Sequence, residues 1–151
     1  MNRDYDRYNH SIGMNCHHLE WCSKYRYKML GKEKYKAMCE EILREIAQRH
    51  KIEIIEMTVM PEHIHIFVNL PPDMSQSKAQ QLFKGGASRQ LFLRQPKFGL
   101  RYPIRRNGKR HFWSPGKFCG SVGNATFDVV QDYVKNQEMH HADYQSRLGD
   151  F

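Results

Sequence analysis

Residues 61–70 read Pro61-Glu62-His63-Ile64-His65-Ile66-Phe67-Val68-Asn69-Leu70, and Pro71-Pro72 follow. Prolines bracket an apolar run of strand length. A strand has a side-chain period of two. Ile64, Ile66 and Val68 therefore turn to one face and His63 and His65 to the other. The residues before the break, 52–60, are β-branched and strand-like, so the two segments predict an antiparallel pair. One face of that pair belongs to a core. The other carries two imidazoles a few ångströms apart, which can be structural or can share a divalent cation.

Working outward, residues 33–49 predict a helix with Tyr35, Met38, Ile42, Leu43 and Ile46 on one stripe and Lys36, Glu40 and Arg44 on a wet side. Residues 11–24 predict a first strand, with His17, Leu19 and Trp21 on alternate positions. Ser75 can cap a helix over 76–93 with Ala79, Leu82, Phe83, Ala87 and Leu91 inward. Gly85-Gly86 falls inside it at a cost of about 1 kcal/mol per glycine. A packing need, a ligand's approach or a break between two shorter helices would each account for the pair. Residues 117–122 predict a strand, Gly123-Asn124 a turn, and residues 125–139 a last helix marked by Val129, Val130, Tyr133 and Val134. Strand–helix–strand–strand–helix–strand and a final helix predict an α+β domain. Its antiparallel sheet carries helices on one face, in a single unit with its core at about 11–140.

The 151 residues suit one domain. No apolar run is long enough to span a bilayer, and the polar N-terminus lacks a signal-peptide core. These readings predict a cytoplasmic protein with no membrane partner, whose four cysteines are reduced thiols. The net charge of +8 is concentrated. Residues 74–127 contain eleven bases and no acid. Such polarity attracts a polyanion. Phe83, Phe92, Phe98, Tyr102, Phe112, Trp113 and Phe118 are interleaved with those bases. The rings suit either a core or the stacking of unpaired bases in single-stranded nucleic acid. Arg105-Arg106-Asn107-Gly108-Lys109-Arg110 resembles a two-residue hairpin on a type I′ turn. It would oppose like charges across the ribbon, which makes sense against phosphate; a solvated loop is the rival reading.

Tyr133 and Gln137 lie one turn apart on the last helix. Near a metal, a tyrosine can attack phosphorus and form a phosphotyrosine; away from one it is a core residue.

Taken together, these motifs resemble the single-tyrosine HUH transposases of the insertion-sequence 200/605 group and their REP-associated relatives. His63-Ile64-His65 is the His–hydrophobic–His element. His17 to Arg26, ending in Lys24-Tyr25-Arg26, resembles the opening strand, and Lys84-Gly85-Gly86-Ala87-Ser88-Arg89 a helix segment. Phe112-Trp113 through Gly123 resembles the stretch before the tyrosine helix. The match runs in order from about residue 14 to 140. Glu20 and Ser23 depart from it, at positions usually apolar and often proline.

The resemblance implies a ferredoxin-like or RRM-like core, a homodimer and single-stranded DNA as substrate, with subterminal hairpins of an insertion sequence as the recognised element. It implies Tyr133 as nucleophile, and His63, His65 and Gln137 as ligands of Mg²⁺ or Mn²⁺, without a nucleotide cofactor. Lys84, Arg89, Arg105, Arg106, Lys109, Arg110 and Lys117 are the candidate DNA contacts. A hydrolytic metal-dependent nuclease and a non-catalytic or domesticated nucleic-acid-binding protein are the alternatives.

Overall fold

The computed structural model describes residues 6–8, 11–116, 118–122 and 127–137, and only the backbone of 6–8, 11–13, 118–122 and 127. In chain order the elements are β1 (Asp6–Tyr8), β2 (Ser11–Gly13), β3 (Cys16–Cys22), α1 (Glu33–Arg49) and β4 (Glu53–Val59). β5 (His63–Asn69), α2 (Gln76–Arg94), β6 (Phe118–Val122) and α3 (Phe127–Lys135) follow. β4, β5, β3 and β6 form one sheet in that order, every neighbouring pair antiparallel. The order is that of a ferredoxin-like α+β fold, in which β5 comes to lie between β3 and β4.

The alternation in β5 decides what each face holds. Ile64, Ile66 and Val68, with Leu19 and Trp21 of β3, are buried beneath α1 and α2. The helices bring Ile42, Leu43 and Ile46 from α1, and Phe83, Ala87 and Leu91 from α2. Each large side chain so buried contributes about 1.5–3 kcal/mol. On the opposite face Phe67 and Cys16 pack with Val134 of α3 in a smaller cluster. The Thr58 hydroxyl on β4 donates to the Val134 carbonyl and ties α3 down. Thus α1 and α2 share one face, and α3 lies over the face that carries the imidazoles.

Ser75 caps α2 as expected, its hydroxyl accepting from the Lys78 amide at 3.1 Å. The helix runs unbroken through the glycine pair. A Cβ at Gly86 would stand 2.8 Å from Ile46 Cδ1, so the missing side chain lets α1 and α2 close together. A Cβ at Gly85 would meet nothing within 4 Å.

Three expectations are corrected. The predicted strand over 11–24 is two strands: β2 pairs with β1 in a separate hairpin, and only β3 enters the main sheet. Asn15 divides them. Its amide nitrogen donates to the carbonyls of Pro71 and Met74, both at 3.0 Å, and fastens the chain to the loop before α2. The apolar stripe on α3 splits, with Val134 buried and Val130 half-buried but Val129 and Tyr133 exposed. The 105–110 turn is not type I′. Only Gly108 is left-handed, its amide donates to the Arg105 carbonyl, and Arg105 rather than Arg106 bonds Lys109. This is a type I turn closed by a left-handed glycine, a standard three-residue hairpin loop. Of the two readings left open for the rings among the bases, Phe83, Phe92, Phe98, Tyr102, Phe112 and Trp113 take the core. The side chain of Phe118 and the turn at 123–124 lie outside the described residues, as do the ends of the helix expected over 125–139.

Between β3 and α1 the chain makes a sharp bend. Tyr25 (φ 60°) and Arg26 (φ 53°) are both left-handed, a conformation that costs about 1–2 kcal/mol in a residue with a side chain. Neighbouring bonds hold it. Ser23 Oγ donates to the Tyr27 carbonyl at 2.6 Å, and Tyr102 Oη to the Lys24 carbonyl at 2.6 Å. The bend turns the Tyr25 ring outward, 64% exposed, beside the stacked rings of Tyr27 and Tyr102. No helix among the described residues is long and apolar enough to cross a membrane.

Candidate functional site

The imidazole face is set by strand register. On β5, His63 pairs with Cys22 and His65 with Glu20, while His18 pairs with Phe67. Antiparallel pairing therefore lays a His-x-Glu strand beside the His-x-His strand, all four side chains on one face. His18 Nε2 lies 3.0 Å from His65 Nδ1, and the two rings stack with centroids 5.3 Å apart. His65 Nε2 lies 3.6 Å from Glu20 Oε1. The His63 ring meets His65 edge-on at 4.9 Å, and its Nδ1 lies 3.0 Å from Glu62 Oε1. The other oxygen of that buried carboxylate has no hydrogen-bond partner among the described residues.

Burial governs the protonation of His18 and His65. It lowers His65 to about 3, helped by the neighbouring charges of His63 and His18. Burial also lowers His18. Both are neutral at physiological pH and have ring nitrogens fit to bind a cation. His65 is 2% exposed and fixed by its strand, so it gives up no conformational freedom on binding one.

Tyr133 stands over this face. Its ring centroid is 6.0 Å from that of His18 and 5.9 Å from that of His65, edge-on to both. It is 47% exposed, because α3 is anchored by Val134, the next residue, and the Thr58 bond. The phenol therefore borders solvent rather than the apolar interior. Gln137, one turn on, is buried at 7% exposure, and its amide nitrogen donates to the Tyr133 carbonyl at 3.2 Å. The structure thus gathers His63, His65 and Tyr133 on one face. Gln137 lies two residues past the end of α3, its side chain turned back toward the Tyr133 carbonyl.

The candidate DNA contacts cluster elsewhere. A groove of about 860 Å³ opens on the flank of α2, which covers the opposite face of the sheet. Lys24, Lys84, Arg89, Arg105, Lys109 and Arg110 line it, and no carboxylate among the described residues does. Two of these cations also have structural work. Lys84 Nζ donates to the Ser114 carbonyl at 2.7 Å, and the Arg110 guanidinium lies 4.1 Å from the Phe92 ring centroid. Gly85 lines the groove, and its bare Cα widens it. Arg106 is exposed at the tip of the turn, outside the lining. Lys117 lies outside the described residues.

Sequence reasoning missed His18 and Glu20 as neighbours of the paired histidines, and Lys24 as part of the groove. The signal was present: His18-Leu19-Glu20 alternates as His63-Ile64-His65 does. Its meaning depends on a pairing 45 residues away, which no local pattern fixes.

Comparison with known proteins gives a consistent picture. A family described as IS200-like transposase matches residues 13–137. The transposase for insertion sequence element IS200 of Salmonella typhimurium is 34% identical over 125 residues, 82% of this chain and 77% of the relative. The ISDra2 transposase TnpA of Deinococcus radiodurans is 29% identical over 121 residues, 80% of this chain and 82% of the relative. Among solved structures, a Deinococcus radiodurans chain described as a transposase superposes with a TM-score of 0.67 at 23% identity, covering 87% of this chain and 97% of that one. A REP-associated tyrosine transposase bound to a REP hairpin superposes with a TM-score of 0.61 at 19% identity, covering 93% and 74%. These last two speak to the fold.

Proposed function

Because the chain belongs to the family of IS200-like transposases, we propose that it is a DNA transposase that cuts and rejoins single-stranded DNA through a tyrosine–phosphate linkage. The observation that carries the reading is the half-exposed Tyr133 ring standing about 6 Å from the rings of both His18 and His65.

In the cutting step Tyr133 Oη attacks the phosphorus and loses its proton. The bond from phosphorus to the 3′ oxygen breaks, and that oxygen takes up a proton to become a free 3′-OH. The 5′ phosphate stays on the phenol. In the joining step a 3′-OH attacks the same phosphorus and expels the phenol. One phosphodiester is exchanged for another of similar energy, so the cycle needs no nucleotide cofactor. Tyr133 needs reach rather than a buried niche, and its exposure on the anchored helix supplies that.

The residues on this face fit a divalent cation: His18, Glu20 and His65 each offer a ligand atom within 4.8 Å of the others, and the His63 ring lies beside His65. His63 and His65 would hold it, with Gln137 as the third ligand implied by the family. When bound, Mg²⁺ or Mn²⁺ supplies positive charge to the non-bridging phosphate oxygens. Imidazole ligands favour Mn²⁺ over the harder Mg²⁺. The basic groove neutralises phosphates elsewhere on the strand, and hairpins near the ends of an insertion sequence are the substrates it would grip. A second copy of the chain completes the assembly.

With Mn²⁺ and an oligonucleotide carrying an element end, the wild-type protein yields a covalent adduct that survives denaturing electrophoresis. Tyr133→Phe yields none and still binds the strand. Cleavage without an adduct would make the protein a hydrolytic nuclease, and binding without cleavage a DNA-binding module.

A further inference from the structure

Resting on the reading of this face as the cleavage centre, we propose that Glu20 is itself a ligand of the divalent cation, joined by His18. The sheet would then offer an oxygen donor alongside its imidazoles before the tyrosine helix contributes anything.

Glu20 is in an unusual place for a carboxylate. It sits in β3, an inner strand, between His65 on β5 and Phe118 on β6. Glutamate is depleted in strands, and this side chain is only 36% exposed. A partly desolvated charge calls for an opposite charge or a donor. His65 Nε2 stands 3.6 Å from its Oε1, longer than a hydrogen bond.

The geometry suits an ion. One donor atom each from His18, Glu20 and His65 can be chosen so that all lie within 4.8 Å of one another. Ligands at about 2.0–2.2 Å from a small divalent cation stand roughly 3–4.4 Å apart, so modest side-chain rotation closes the set. Strand spacing fixes the three Cα atoms. The donor chemistry, imidazole plus carboxylate, matches Mn²⁺ and adds the hard oxygen that Mg²⁺ prefers. The same rings flank Tyr133, so an ion held here lies beside the phenol.

The test is Mn²⁺ titration of the metal-free, full-length protein by electron paramagnetic resonance, without DNA. Glu20→Val, which suits a strand, and Glu20→Gln, which keeps the shape, should each weaken binding about tenfold or more, and so should His18→Gln. Glu41→Gln on α1 should bind as wild type, controlling for loss of a charge. If both Glu20 variants bind Mn²⁺ within twofold of wild type while folded by circular dichroism, the assignment is overturned. The glutamine variant keeps the test decisive if valine disturbs the fold. His65→Ala separates the two readings: no loss of Mn²⁺ binding in that variant overturns the metal centre itself, whatever Glu20 does.

Discussion

The two faces of the sheet are made by the same strands and do opposite things. Beneath α1 and α2 lies a dry, aliphatic and aromatic layer in which every inward residue of β5 is fully buried. Across the sheet, one residue out of step, lie three imidazoles, a carboxylate and a phenol under a single short helix. The first face devotes its area to stability. The second is free to hold polar groups in fixed geometry because the first holds the strands. Apolar scaffold and polar face are here separated by the thickness of one sheet.

Adjacent residues of β5 give the strongest way to break this comparison. His65→Ala should lower adduct formation by three orders of magnitude or more while the thermal midpoint stays within a few degrees of wild type. Ile66→Ala should do the reverse, costing about 2–5 kcal/mol in a denaturant titration, with adduct formation per folded molecule retained. A stability loss of equal size at both positions would show that the polar face also carries the fold.

Acid should act through the polar face and its neighbours. His17, His18 and His65 are held below their ordinary range chiefly by burial. Below about pH 6.5 the unfolded chain therefore binds protons that the folded chain refuses, and stability falls as pH falls. Each such ring costs up to about 1.4 kcal/mol per pH unit until it protonates in the fold. For His65 that window runs from about 6.5 down to about 3. The midpoint of urea unfolding in chelator, measured from pH 7.5 to 5, should drop steadily; a flat profile counts against neutral imidazoles.

The groove on the α2 side is the next distinction. Arg105→Ala with Lys109→Ala should weaken binding of a single strand and reduce its logarithmic salt slope by about 0.7 for each phosphate no longer neutralised. Adduct formation at saturating DNA should be retained. An unchanged slope would return the turn to solvent. The smallest effect compares two neighbours on α2. Gly85→Ala should stabilise by about 0.5–1 kcal/mol through helix propensity, since open space receives its methyl. Gly86→Ala should lose that gain against Ile46. Equal midpoints for the two would remove the distinction.

What could be read in the sequence follows from which interactions are local. The bounds of α1, the Ser75 cap and the alternation in β5 depend on residues a few positions apart, and all three are as expected. The break at Asn15 was hidden because its partners, Pro71 and Met74, are more than fifty residues away. Asn107-Gly108 is compatible with two turn types, and only the hydrogen bonds choose between them. The aromatic residues among the bases carry no mark of being inside or outside until helices close over them. On the candidate site, the histidine pair was legible from spacing, whereas its Glu20 and His18 neighbours are products of register.

The strict alternation of β5 has an evolutionary corollary. Point substitutions on its polar side leave the strand in place and can be sampled one at a time. Inserting or deleting a single residue between Pro61 and Asn69 cannot, because it would exchange the two sides along the rest of the strand, driving an imidazole into the interior and aliphatic residues out beside Tyr133. Descendants of this chain should therefore keep the number of residues in this segment fixed, even at positions where the identity of a residue can change.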